Sequence, residues 1–286
     1  MTHPKTITIY LANGQPNGVK TAELSNWIGK AIVIPRSMLK SVKERAECNQ
    51  PAVYFLIGKN DEDDILPLVY VGEAESLWDR LANHDSNKDF WQTAIGFVGK
   101  DNGLTKAHIK YLESRCLKIA KDNSRCILQN TVQSALPSLP EPSVAEMEEF
   151  LENLITLLSS ISYLFLLKPL VDEEKTGQIF FCRAKGAEAK GQITNDGFIV
   201  FKDSTMTTNI SKAVKERNSR IIESLSKSGH ITQLSSNLFK FEKEYVFNSP
   251  SAASDIICGN STSGWVKWVT KEGKTLKDVE TEKLES

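Results

Sequence analysis

The chain has 286 residues, 40% of them hydrophobic and 25% charged, enough apolar material for roughly two packed domains and too much for a disordered polymer. Thirty-five Lys+Arg against 36 Asp+Glu leave a net charge of -1, which excludes a uniformly basic nucleic-acid coat but not a local basic face. Five scattered cysteines without a CxxC pair argue against a disulfide framework or a zinc ribbon, and the opening MTHPKTITIY is unlike a secretion signal. The longest apolar stretch, Leu154 to Leu167, is too short and too rich in hydroxyls to cross a bilayer, so a cytoplasmic protein with no membrane partner is expected.

In chain order, charge divides the sequence into blocks of +4 (1–48), -2 (49–135), -6 (136–175) and +3 (176–286). The first block opens with the alternating run Thr6-Ile7-Thr8-Ile9-Tyr10, followed by the turn-rich Asn13-Gly14-Gln15-Pro16-Asn17-Gly18. Ala31 to Ile34 predicts another strand, and residues 37–47 a short basic helix. This block, 1–48, reads as an accessory strand-rich arm.

Residues 49–135 form the next segment. Val53-Tyr54-Phe55-Leu56-Ile57 and Leu68-Val69-Tyr70-Val71 are β-branched and aromatic runs separated by the acidic Asn60 to Asp64, the pattern of an antiparallel hairpin with a long tip. Ser76 caps a predicted helix through Leu77 and Leu81. A third strand spans Thr93 to Val98, and Thr105 caps a long helix to about Lys121. Pro137, Pro140 and Pro142 then mark a domain boundary, before an acidic linker (136–175) whose apolar helix, 143–167, predicts a buried face or a homodimer interface. The last block, 176–286, predicts strands near 178–183, 197–201 and 244–247, a helix over 209–226, and a frayed tail after Lys274.

Ala52-Val53-Tyr54, Tyr70-Val71-Gly72, Arg80, His84, Glu113 and Asn130 together resemble the GIY-YIG nuclease family over roughly residues 51–131. Ala52 stands where that family usually has glycine, and the loop between the half-motifs is somewhat long; neither departure removes a functional side chain. The resemblance implies an α/β (α+β) fold with a small antiparallel sheet flanked by helices. It also implies a divalent-metal-dependent endonuclease acting on DNA, with Mg²⁺ or Mn²⁺ on Glu113. In that reading Arg80 holds the phosphate, Tyr54 or Tyr70 activates water, His84 assists the tyrosine or takes the proton itself, and Asn130 orients the substrate or metal shell. The runs Phe180 to Gly186 and Ser249 to Ala253, with Gly264-Trp265, resemble a small domain of unassigned function that often follows such modules.

The residues support part of this without the family. Tyr54 and Tyr70 fall on adjoining strands, and Arg80 and His84 share one helix face. On the later helix Ile119, Leu112, Cys116, Ile109 and Ala120 form one apolar stripe, and Glu113 falls between Ala120 and Leu117 among apolar neighbours. A carboxylate so placed is costly unless it is paired or holds a cation. Against this stand plainer accounts: strand tyrosines are usually core, Arg80 and His84 could be a solvated face, and Glu113 could pair with Arg115 or Lys110. A catalytically inactive DNA-binding or regulatory protein on the same scaffold is the rival function. The basic run Lys100, Lys106, Lys110, Arg115, Lys118, Lys121 and Arg125 could contact a phosphate backbone or form a solvated face. Trp265 and Trp268 read as core.

Overall fold

Near-continuous apolar runs dictate the centre of the first unit, because strands buried on both faces need no polar alternation. The computed structural model describes residues 3–59, 66–101, 103–123, 125–131, 135–168, 178–195 and 197–285. The chain divides into two units, Met1–Lys168 and Pro169–Ser286.

In the first unit β1 (Ile7–Leu11), β2 (Lys20–Leu24), β3 (Gly29–Pro35), β4 (Ala52–Gly58), β5 (Leu68–Ala74), α1 (Leu77–Asn87), β6 (Thr93–Gly99), α2 (Lys106–Asn123), β7 (Ile127–Leu128) and α3 (Glu141–Ser160) follow in order. Seven strands make one sheet in the order β1-β2-β3-β6-β4-β5-β7. Every neighbour is antiparallel except β5 and β7. Val53, Phe55, Val71, Ile95 and Phe97 pack on one face with Ile109, Leu112 and Cys116 of α2 and Phe150, Leu154 and Leu157 of α3. Ala52, Tyr54, Leu56 and Ala94 face the other way, against Leu77 and Leu81 of α1, Trp91, and Leu39 and Val42.

Several expectations change here. The 1–48 segment is no separate arm: β3 pairs with β6 from Gly29↔Gly99 to Pro35↔Thr93, inside the same sheet. The expected basic helix over 37–47 is two 3₁₀ turns, Arg36–Val42 and Ala46–Asn49. Leu39 and Val42 are both buried, and a three-residue period keeps them on one line. The proline cluster opens a helix instead of dividing domains. Pro140 is the N-cap of α3 and Pro142 lies in its first turn, where a missing N–H costs nothing. The unit continues to Lys168, and Leu154, Leu157 and Leu158 in the 143–167 stretch are fully buried against the sheet of their own unit, the buried face that the sequence predicts. The expected acidic hairpin tip, Asn60 to Asp64, lies outside the described residues.

The second unit contains β8 (Phe180–Ala184), β9 (Ala187–Thr194), β10 (Gly197–Val200), β11 (Thr205–Thr207), α4 (Lys215–Lys227), β12 (Ile231–Ser235), β13 (Leu238–Phe241), β14 (Tyr245–Phe247), α5 (Pro250–Cys258), α6 (Gly264–Lys267) and α7 (Leu276–Glu285). Its sheets run β14-β10-β9-β8 and β11-β13-β12, so both units are α+β. Trp268 is buried, packed 4.4 Å from the Phe198 ring with its indole N–H donated to the Pro250 carbonyl. Trp265 is 45% exposed and is not core. The tail does not fray at Lys274: Thr275 and Asp278 cap each other reciprocally and start α7. Among the described residues no helix is long and apolar enough to cross a membrane.

Candidate active site

Tyr54 sits mid-strand on the central β4, paired with Gly72 on one side and Gly96 on the other. Both neighbours lack a side chain, so the phenol can lie flat across the sheet. A Cβ on Gly72 would come within 2.4 Å of the Tyr54 hydroxyl, and one on Gly96 within 2.4 Å of Leu77 Cδ2. The tight turn after β5 then delivers Ser76, whose hydroxyl accepts from the Asp79 N–H and starts α1 across this face. Arg80 and His84, one turn apart, are thereby aimed at the ring.

The Tyr54 hydroxyl lies 2.7 Å from His84 Nε2, and Arg80 Nε donates to it at 3.3 Å. Arginine can only donate, so the phenol oxygen accepts from Arg80 while it shares a hydrogen bond with His84 Nε2. Burial, reinforced by the nearby Arg80 and Lys88 charges, pushes His84 down to about 4, so the ring is neutral at physiological pH. Burial likewise drives the Tyr54 phenol far above its ordinary value, with Tyr70 adding to the effect and Arg80 opposing it. The hydrogen bond to Tyr54 pushes Arg80 upward, fixing its charge.

Tyr70 completes the group. Its ring centroid lies 6.2 Å from that of Tyr54 and 5.1 Å from that of His84, edge-on to the imidazole. Unlike Tyr54 it is only half-buried. Lys88 Nζ stands 4.5 Å from its ring centroid, a cation–π contact. Lys88 is the C-cap of α1, four residues past His84, and that four-residue step from Arg80 to His84 to Lys88 is the sequence signal for it.

Glu113 approaches from the opposite face of the sheet. Lys106, first in α2, bonds Glu75 just beyond β5 at 2.8 Å, whereas β7, which follows α2, pairs with Leu68 at the start of β5. The helix therefore runs antiparallel to β5. Glu113, about two turns into this helix, is buried, 9% exposed, in the stripe of Leu112, Cys116 and Leu117. Among the described residues β7 pairs with β5 at Leu68 and Val69. The helix carrying the carboxylate and the phenol–guanidinium group thus pack on opposite faces of the sheet.

Asn130 has another task. Its Oδ1 accepts from the Val71 N–H at 3.0 Å and its Nδ2 donates to the Val71 carbonyl at 2.8 Å. The side chain thus imitates one more residue of β7 and extends the ladder to Val71. The basic run over 100–125 is also largely engaged within the protein: Lys100 pairs with Glu23, Lys106 with Glu75, and Arg115 with Glu148. Among the described residues no three His, Cys, Asp or Glu stand together as a metal cluster. A single buried carboxylate such as Glu113 suits Mg²⁺, which binds through one or two carboxylates with water and substrate phosphates. It does not suit a metal that needs a protein-only cage.

A family described as Domain of unknown function (DUF4357) matches residues 180–280. That span runs from β8 into α7 and includes the Phe180 to Gly186 and Ser249 to Ala253 runs. No curated protein and no solved structure matches the chain. Within this second unit Cys182, which has no histidine partner, faces Cys258 with 3.6 Å between the sulfurs.

Proposed function

We infer that the first unit is a divalent-cation-dependent endonuclease module that hydrolyses phosphodiester bonds in DNA. The observation that carries this reading is the Arg80–Tyr54–His84 chain of hydrogen bonds, with the Tyr70 ring set edge-on to the imidazole beside it. Phosphoryl transfer needs a fixed cation at the phosphate and a polar group to handle the proton of the attacking water. Arg80 reaches Tyr54 through Nε, and its planar guanidinium carries further N–H donors suited to phosphate oxygens. Tyr54 is an anchor: its hydroxyl is buried and engaged on both sides, so it orients Arg80 and His84. Tyr70 is the phenol left facing outward and is the residue assigned to the attacking water. Glu113 is the side chain that would hold Mg²⁺ or Mn²⁺, and the ion when bound supplies charge neutralisation at the phosphate.

Incubation of the protein with supercoiled plasmid and Mg²⁺ or Mn²⁺ tests the reading. Nicked circles that vanish with EDTA and with Arg80→Ala are expected. The second reading, a non-cleaving DNA-binding protein on this scaffold, is favoured by the complete burial and mutual satisfaction of Tyr54 and His84. Salt-sensitive gel shifts without nicking would decide for it.

A further inference from the structure

The outer strand β1 stands at one end of the seven-stranded sheet and, among the described residues, pairs only with β2. Thr6 accepts from the Ser25 N–H and Ala12 donates to the Val19 carbonyl, both across to the β2 side. In an antiparallel ladder such residues alternate. Thr6, Thr8, Tyr10 and Ala12 therefore spend their backbone groups on β2. Ile7, Ile9 and Leu11 turn theirs outward.

Sheet edges are normally protected by charges, prolines or bulges within the strand. None of these is present in β1, and no charged residue occurs anywhere from Thr6 to Gly18. Ile9 is 49% exposed and Tyr10 59% exposed, although both are strand formers.

We propose that β1 is a homodimerisation edge, pairing antiparallel with β1 of a second copy about a two-fold axis at Ile9. In this register Ile9 meets Ile9 of the partner and Ile7 meets Leu11 of the partner, and all three outward N–H and three outward C=O groups of each chain find partners. The side chains agree with the backbone. Ile7, Ile9 and Leu11 lie on the sheet face of Ala22 and Leu24, so apolar side chains meet apolar ones across the axis. Thr8 meets Tyr10 of the partner on the other face. A second copy is the occupant that fits because the strand is its own complement in this register, and the contact closes with two-fold symmetry. It joins two seven-stranded sheets into one.

Light scattering on the full-length chain over roughly 1–100 µM should show a mass twice that of one chain at the upper end. Ile9→Pro removes an N–H that β2 does not use, so this variant should remain folded by circular dichroism and become monomeric. In an Ile9→Cys variant the paired Cα atoms would lie about 5.5 Å apart, within disulfide range, and mild oxidation should give a cross-linked dimer. The five native cysteines are all buried and supply a low background. A wild-type monomer at every concentration overturns the proposal. So does a wild-type dimer that persists in Ile9→Pro or fails to cross-link through Ile9→Cys.

Discussion

The hydroxyl of Tyr54 occupies the space above Gly72, within 2.4 Å of where a Cβ of that residue would stand. The glycine of the second half-motif thus serves the tyrosine of the first. Its role is room for a ring, since only a bare backbone lets the phenol lie over β5 and reach His84 and Arg80.

Gly72→Ala should therefore displace Tyr54 and destabilise the first unit by about 1–3 kcal/mol, the ordinary cost of overpacking. Tyr54→Phe removes the hydroxyl and leaves His84 Nε2 and Arg80 Nε without their partner, at a similar cost of about 1–3 kcal/mol. Because both changes act at one contact, the double variant Gly72→Ala/Tyr54→Phe should cost less than the sum. Urea denaturation of the four proteins measures this coupling, and strict additivity would refute the contact.

How far the sequence reveals this depends on the element. The strands β4, β5 and β6 are legible because they are long, apolar and doubly buried. The helix α2 is legible through its apolar stripe. The short strands β11 and β12 are not: the first has three residues, and after Ile231 the second shows four exposed ones, so neither carries a periodic signal. The prolines at 137–142 mislead because a helix start and a domain break use the same residue type. At the site, the four-residue step from Arg80 to His84 is readable. That Tyr54 would be a buried hub between two glycines, or that Asn130 would complete a strand ladder, depends on pairing register, which one chain segment alone does not disclose.

Asn130→Ala should loosen the edge of β5 by removing both bonds to Val71. A stability loss of about 1–2 kcal/mol is expected, with faster hydrogen exchange at the Val71 amide. If cleavage falls, it should recover at lower temperature, because the change acts on folding and not on a group that touches substrate. A cold-insensitive loss would instead place Asn130 at the substrate.

His84 links the site to acid stability. Its value is about 4 in the fold against 6.5 for an unperturbed imidazole, so the unfolded chain binds the proton more readily. The stabilising effect is whole above pH 6.5 and is lost as pH falls toward 4. The loss is on the order of 2–3 kcal/mol. His84→Gln should lack this slope. Denaturation midpoints of both proteins between pH 8 and pH 4 provide the comparison; parallel curves would show that His84 is not held neutral.

Arg80 and Glu113 separate the roles of charge at the phosphate. Arg80→Ala should lower plasmid nicking by about 10²–10³-fold, the usual effect of losing one preorganised donor at a reacting oxyanion. Arg80→Lys keeps the charge but not the planar fork, and should recover only a small part. Glu113→Gln preserves shape and should abolish Mg²⁺-dependent nicking. It should also weaken Mn²⁺ binding followed by titration calorimetry in the absence of DNA. Retention of Mn²⁺ affinity in Glu113→Gln would remove the cation from that carboxylate, while loss of nicking in Arg80→Ala alone would leave the phosphate contact standing. The two measurements can therefore fail independently, and together they decide whether Arg80 and Glu113 serve one reaction.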